Sequence, residues 1–176
     1  MFDRSYLPKP RLELVVVSDT HFMMDPGTRV VEFESRRLQP VRAEHALRLI
    51  ARLNPSFVVH LGDLVQESPE AERFEQTMTE AREQLERCGV QPRHVAGNCD
   101  VGDKPDPTMP TAGVTPESLA AHHARFGRSW YSWDAATVHC VVLNSQILNS
   151  TLPEAEDQRR WAESDLLAHK GQRIFL

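Results

Sequence analysis

Val15-Val16-Val17-Ser18-Asp19-Thr20-His21 is an apolar run that stops abruptly at two side chains able to hold a metal ion. Two later stretches repeat the arrangement: Phe57-Val58-Val59-His60 runs into Leu61-Gly62-Asp63, and Val90 to Ala96 runs into Gly97-Asn98-Cys99-Asp100. Short apolar runs rich in β-branched residues suit strands buried on both faces of a parallel sheet. The first run, from Leu12, predicts such a strand, and the three runs together predict three strands whose ends feed one metal site.

The segments between them carry helical and turn signals. Ser18 to Glu34 reads as a loop containing the turn Asp25-Pro26-Gly27. From Ser35, the positions Leu38, Val41, Ala46, Leu49, Ile50 and Leu53 recur at helical spacing up to Asn54-Pro55. Ser68-Pro69-Glu70 supplies the cap, the first-turn proline and the early acid of a helix predicted over Pro69 to Arg87, with Phe74, Met78, Ala81 and Leu85 as its buried stripe. The third strand, Gln91 to Ala96, contains Pro92, tolerated best at a strand start or edge. Val101 to Thr115 has no period and reads as a long loop; Thr115-Pro116-Glu117 opens a helix to about Arg125. Trp130 to Trp133 and Thr137 to Leu143 predict an antiparallel hairpin across Asp134-Ala135-Ala136, Pro153 to Lys170 a last helix, and Arg173 to Leu176 a strand only just begun.

Strands alternating with helices give an α/β class, a layered sheet with helical crossovers, and place any ligand site at the carboxyl ends of the strands. Asp19, His21, Asp63 and Asn98 would converge there. Asp19 and His21 are two apart, so along an extended backbone their side chains leave on the same face. Asp63 has two oxygens and could bridge two ions, while Asn98 offers a neutral carbonyl. Nitrogen and oxygen donors together suit Mn, Fe or Zn better than Ca. Taken singly, each of these is also an ordinary turn residue: Asp19 can cap a strand end, Gly62-Asp63 can be a plain turn, and Asn98 can be a left-handed turn residue.

The 176 residues, 40% apolar and 26% charged, are enough for one globular domain spanning 1–176. A net charge of -5 disfavours nucleic acid as a charge-captured partner, and no basic run suggests an acidic lipid surface. The start Met1-Phe2-Asp3-Arg4-Ser5-Tyr6 lacks the apolar block of a signal peptide or membrane span, so a soluble, cytoplasmic protein is expected. Cys88, Cys99 and Cys140, odd in number and widely spaced, fit a reducing compartment.

Asp19-x-His21, Gly62-Asp63 and Gly97-Asn98-Cys99-Asp100 together resemble the motifs of the calcineurin-like metallophosphoesterases. Trp130-Tyr131-Ser132, Leu143-Asn144-Ser145-Gln146 and Gln158-x-x-Trp161 are most similar to the branch containing calcineurin-like phosphoesterase domain-containing protein 1. The resemblance implies an α/β/β/α sandwich and two metal ions, the first on Asp19, His21 and Asp63, with Asp63 bridging to a second held also by Asn98. It implies hydrolysis of phosphoesters by a di-metal-activated water, on a phosphorylated protein or small molecule, without a covalent phosphoenzyme. Cys99 stands where the family usually has a His that assists the leaving group, and Asp100 is the acid that orients it. A thiol is a weak donor, so slower hydrolysis of poor leaving groups is expected. Some phosphodiesterase-like members carry Asn-Cys-Asp, which keeps a phosphodiesterase or nucleotidase as the alternative; a retromer subunit shows that the fold also serves as a non-catalytic scaffold.

The resemblance further implies a later strand with His ligands, beyond Leu176. The chain is therefore expected to be the N-terminal part of a longer phosphoesterase, prone to self-association through an unfinished sheet. His122, His123, His139 and His169 are expected in solvated or core roles, His60 and His94 in local packing, and His45 on a helix face. No glycine-rich phosphate loop of either common pattern supports a metal-free nucleotide-binding reading.

Overall fold

The computed structural model describes residue 6, residues 8–109 and residues 111–176. Most of Met1-Phe2-Asp3-Arg4-Ser5-Tyr6, whose composition argued against a leader, lies outside the described residues. The three apolar runs form one parallel sheet in the order β1-β2-β3: β1 Leu14–Val17, β2 Phe57–His60 and β3 Arg93–His94. Its register pairs Val17 with His60 and His60 with His94, which aligns the three strand ends. Helices α1 Gln39–Leu53 and α2 Phe74–Arg87 join the strands and cover one face through Leu47, Ile50, Val58, Phe74, Met78, Ala81 and Leu85.

The other face meets a second sheet. Strands β4 Tyr131–Ala135 and β5 Val138–Val142 pair antiparallel, and β6 Arg173–Phe175 pairs parallel with β5. Trp133 locks the two sheets together: its ring meets Phe57 edge-on at 5.4 Å, and the Arg93 guanidinium lies 4.3 Å from its centroid. The Tyr131 hydroxyl donates to the His94 carbonyl at 2.9 Å. Ser132, on the opposite face of β4, reaches α5 Pro153–Ala168 by donating to Asp165 Oδ1 at 2.9 Å. The layers thus run helix, sheet, sheet, helix. Between β3 and β4 lie α3 Asn98–Val101 and α4 Pro116–Phe126, the latter capped by Thr115, whose hydroxyl accepts from the Ser118 amide at 3.1 Å.

Several expectations are corrected. Val16 is 43% exposed, because the cleft between the sheets, lined by Val16, Val59, Leu61, Trp133, Leu148 and Phe175, stays open along β1. Helix α1 buries Ala43, Leu47 and Ile50, whereas Leu38, Val41, Leu49 and Leu53 face outward. Two apolar stripes occupy nearly opposite faces of that helix, and one of them meets the sheet. Helix α2 begins at Phe74 and not at Pro69. Two successive tight turns, Ala71 N–H to Ser68 O and Phe74 N–H to Ala71 O, precede it, and Glu70 accepts from the Ala112 amide at 3.4 Å. Strand β3 keeps two residues of the predicted six. The hairpin turns at Ala136-Thr137, one step later than expected, with Ala136 at φ 53° as a tight hairpin turn requires. Strand β6, expected over Arg173 to Leu176, forms at Arg173–Phe175 and pairs with β5 in the order β4-β5-β6.

Candidate metal centre

The turns that leave the sheet are joined by backbone hydrogen bonds before any side chain is considered. Asp19 N–H donates to Gly62 O at 3.1 Å, His21 N–H to Asp63 O at 3.0 Å and Phe22 N–H to Leu64 O at 2.9 Å, extending the β1–β2 pairing past the strands. Asp19, His21 and Asp63 are all left-handed, at φ 54°, 42° and 55°. Such conformations cost roughly 1–3 kcal/mol each in side-chain-bearing residues and concentrate at functional sites. The backbone at Asp19 and His21 is therefore not extended as expected: these left-handed turns, and not strand alternation, bring the three donor groups toward one another. His21 Nε2 lies 3.6 Å from Asp19 Oδ1 and 3.8 Å from Asp63 Oδ2.

The third turn closes the site from the other side. Asp63 Oδ1 accepts from the Cys99 amide at 2.9 Å, and Cys99 Sγ joins His21 and Asp63 in a group whose ligand atoms all lie within 4.8 Å of one another. Asn98 Nδ2 lies 4.0 Å from that sulfur. The fit is close because two glycines touch: a Cβ on Gly97 would sit 2.5 Å from the Asp63 nitrogen, and Gly62, at φ 102°, packs against Gly97 with the same lack of room. Neither position admits a side chain without moving the turns that carry Asp63 and Asn98.

Asp100 is the clamp. Its Oδ2 accepts from the Asp63 and Gly97 amides, both at 2.8 Å, and its Oδ1 from the Leu64 amide at 3.1 Å. Burial pushes its carboxyl up to about 6, with the Asp63 charge adding to the rise and the three N–H donors opposing it. Both oxygens are thus occupied by backbone. Burial, reinforced by the charges of Asp63, Asp100 and Asp103, pushes the Cys99 thiol up to about 12, so it is a neutral group at ordinary pH.

Behind these turns, His60 is fully buried. Its Nδ1 accepts from the Gly62 amide at 3.2 Å, which places the proton on Nε2, and Nε2–H donates to Thr20 Oγ1 at 2.9 Å. Thr20 Oγ1–H then donates to Leu64 O at 3.2 Å. This relay ties β2 to the loops on both sides and was not legible beyond an expectation of local bonding. His94 packs on Phe126 at 4.1 Å, as a packing role predicts.

Asp19, His21, Asp63, Asn98 and Cys99 all lie at or beside the strand ends. Two carboxylates converge on one imidazole nitrogen, and the other nitrogen, His21 Nδ1, is buried without a partner among the described residues. Such a donor set suits a cation with nitrogen and oxygen ligands.

A parallel sheet whose strand-end loops bring acids and a histidine around a common point is an arrangement that could hold a cation in an α/β protein. The sequence profile described as calcineurin-like phosphoesterase matches residues 12–172, and the chain belongs to that family. It is similar to the serine/threonine-protein phosphatase CPPED1 of Danio rerio, at 30% identity over 70% of this chain and 39% of the relative. Among solved structures it resembles a dimetal phosphatase from Danio rerio, with TM-score 0.54 and 15% identity over 86% of this chain and 51% of that one. It also resembles the purple acid phosphatase PPD1 from yellow lupin (Lupinus luteus) seeds, with TM-score 0.53 and 17% identity over 92% and 29%. The chain therefore spans about two-fifths of the length of its curated relative.

Proposed function

We propose that this chain carries the strand-end half of a two-metal centre for phosphoester hydrolysis, acting on a phosphomonoester such as a phosphoprotein. Similarity at 30% identity to a serine/threonine-protein phosphatase of Danio rerio supports that substrate class. The carrying observation is Asp63, whose Oδ2 faces His21 while its Oδ1 lies against the start of α3, a placement suited to a bridging carboxylate. Asp19, His21 and Asp63 would hold one ion and Asp63 with Asn98 a second, Mn, Fe or Zn by donor type. Bound there, such ions supply Lewis acidity toward phosphoryl oxygens and lower the pKa of water. The protein's own part is positional: Asp100 fixes the turns, and Gly62 with Gly97 lets them touch. Coverage of the relatives supports the reading that further ligands come from a part of the fold that this chain does not contain.

Asp63→Asn tests the assignment. Calorimetric titration with Mn(II) or Zn(II) should show binding weakened at least roughly tenfold, with loss of metal-dependent p-nitrophenyl phosphate hydrolysis in any form that shows it. Equal metal binding by the variant and the native chain would sink it. The neutral, buried thiol of Cys99 favours a second reading, a phosphodiesterase with an easier leaving group. A preference for bis(p-nitrophenyl) phosphate over the monoester would select it.

A further inference from the structure

On the second sheet, away from the strand-end ligands, four side chains assemble that the reading above does not use. Asp134 and His139 are cross-strand partners in β4 and β5, and His139 Nδ1 lies 2.8 Å from Asp134 Oδ1. His139 Nε2 lies 2.8 Å from Asp165 Oδ2 on α5. His169, the residue that caps α5, donates from Nδ1 to the Asp165 carbonyl at 2.7 Å. The two imidazoles stack at 3.4 Å, 13° from parallel. Asp165 is itself held by Ser132, so one fixed residue orients both rings.

We infer that Asp134, His139 and His169 form a separate binding site for a borderline transition-metal ion such as Zn(II). One ligand atom from each lies within 4.8 Å of the others. Asp165 occupies the outer N–H of both histidines, with its carboxylate on His139 and its carbonyl on His169. Ligating imidazoles usually show that arrangement, because an acceptor on the far nitrogen fixes the tautomer and raises basicity. It leaves His139 Nδ1 turned to Asp134 and His169 Nε2 as a lone-pair nitrogen. The C-terminal end of α5 adds the negative end of a helix dipole, which favours a cation.

Without metal, one proton takes the ion's place. His139 lies between the carboxylates of Asp134 and Asp165, whose hydrogen bonds favour its protonated form. Metal binding releases that proton from His139 Nδ1 and breaks its bond to Asp134. It also opens the stack, since two parallel rings cannot both direct in-plane lone pairs at one ion. Rotation about the Cβ–Cγ bond, a soft torsion in histidine, does this. Because a proton leaves as the ion enters, binding should tighten as pH rises.

Asp134 is exposed and His169 half-buried, so Asp134→Asn and His169→Gln should fold, which circular dichroism verifies. Zn(II) is titrated into the Asp63→Asn chain, which lacks the bridging carboxylate of the strand-end centre, and followed by calorimetry and by NMR of the histidine ring nitrogens. The expected result is about one equivalent bound, with the His139 and His169 signals shifting together, and roughly tenfold or greater weakening when either substitution is added. Ring signals that stay still in excess Zn(II), or equal binding after Asp134→Asn and His169→Gln, would overturn the site and leave His139 as a proton-only link. Neither outcome depends on hydrolytic activity.

Discussion

Asp100 uses two carboxylate oxygens on three backbone donors, and those donors belong to the turns that carry Asp63 and Asn98. Asp100→Asn keeps the shape but offers an NH2 where one or two N–H groups need an acceptor. Leaving such donors unsatisfied in a buried place costs about 1–3 kcal/mol each. Urea denaturation should show a loss of roughly 2–4 kcal/mol, and metal affinity should fall with it. An unchanged midpoint would mean that the turns hold without the clamp. Gly97 makes a sharper comparison. Gly97→Ala puts a Cβ against Asp63, whereas Gly113→Ala puts one 3.7 Å from Asp103 O, an ordinary contact. The first should destabilise by about 2 kcal/mol or more and weaken metal binding, the second by less than about 0.5 kcal/mol. Parity between the two would remove close approach from the account of the site.

At the scale of elements, helix α1 shows where patterning misleads. Of the expected positions Leu38, Val41, Ala46, Leu49, Ile50 and Leu53, Ile50 is buried, and it packs with Ala43 and Leu47, whereas Leu38, Val41, Leu49 and Leu53 are exposed. Periodicity alone does not select the covered face, which depends on how β1 and β2 direct the chain. Leu47→Ala should therefore cost about 2–5 kcal/mol, while Val41→Gln and Leu49→Gln should stay within about 0.5 kcal/mol. Thermal or chemical melts that rank them the other way would refute the orientation. The strand ends were legible because the turns that follow them are local: Asp19, His21, Asp63 and Asn98 are adjacent to runs whose period needs no tertiary information. The two early turns before α2, the two-residue β3 and the single turn of α3 were not, because tertiary bonds set them. Examples are Glu70 to Ala112, Tyr131 to His94 and Asp63 to the Cys99 amide. The backbone partners of Asp100 were not legible for the same reason: they are amides, which leave no trace in residue type.

Across the whole molecule, buried histidines couple folding to pH. Burial holds His60 and His122 down at about 4 and His94 at about 3, against an ordinary value of 6.5. Each stays neutral in the folded chain while the unfolded chain takes up a proton, so stability is complete above about pH 6.5 and declines as pH falls toward 4. Each contributes on the order of a few kcal/mol, comparable in sum with the ~5–15 kcal/mol stability of a typical domain. Asp100 works the other way, because its raised carboxyl favours the folded chain between about 6 and 3.8, but it is one group against three. The melting temperature should fall steeply between pH 6.5 and 4. His122 is the one to change: its Nδ1 is buried without a partner among the described residues, and its ring packs on Phe126 at 5.1 Å. His122→Leu removes both the unpaired nitrogen and the protonation, so the variant should lose less stability than the native chain between pH 7 and 5. A parallel decline of the two melting curves would show that His122 is not one of the groups that titrate on unfolding.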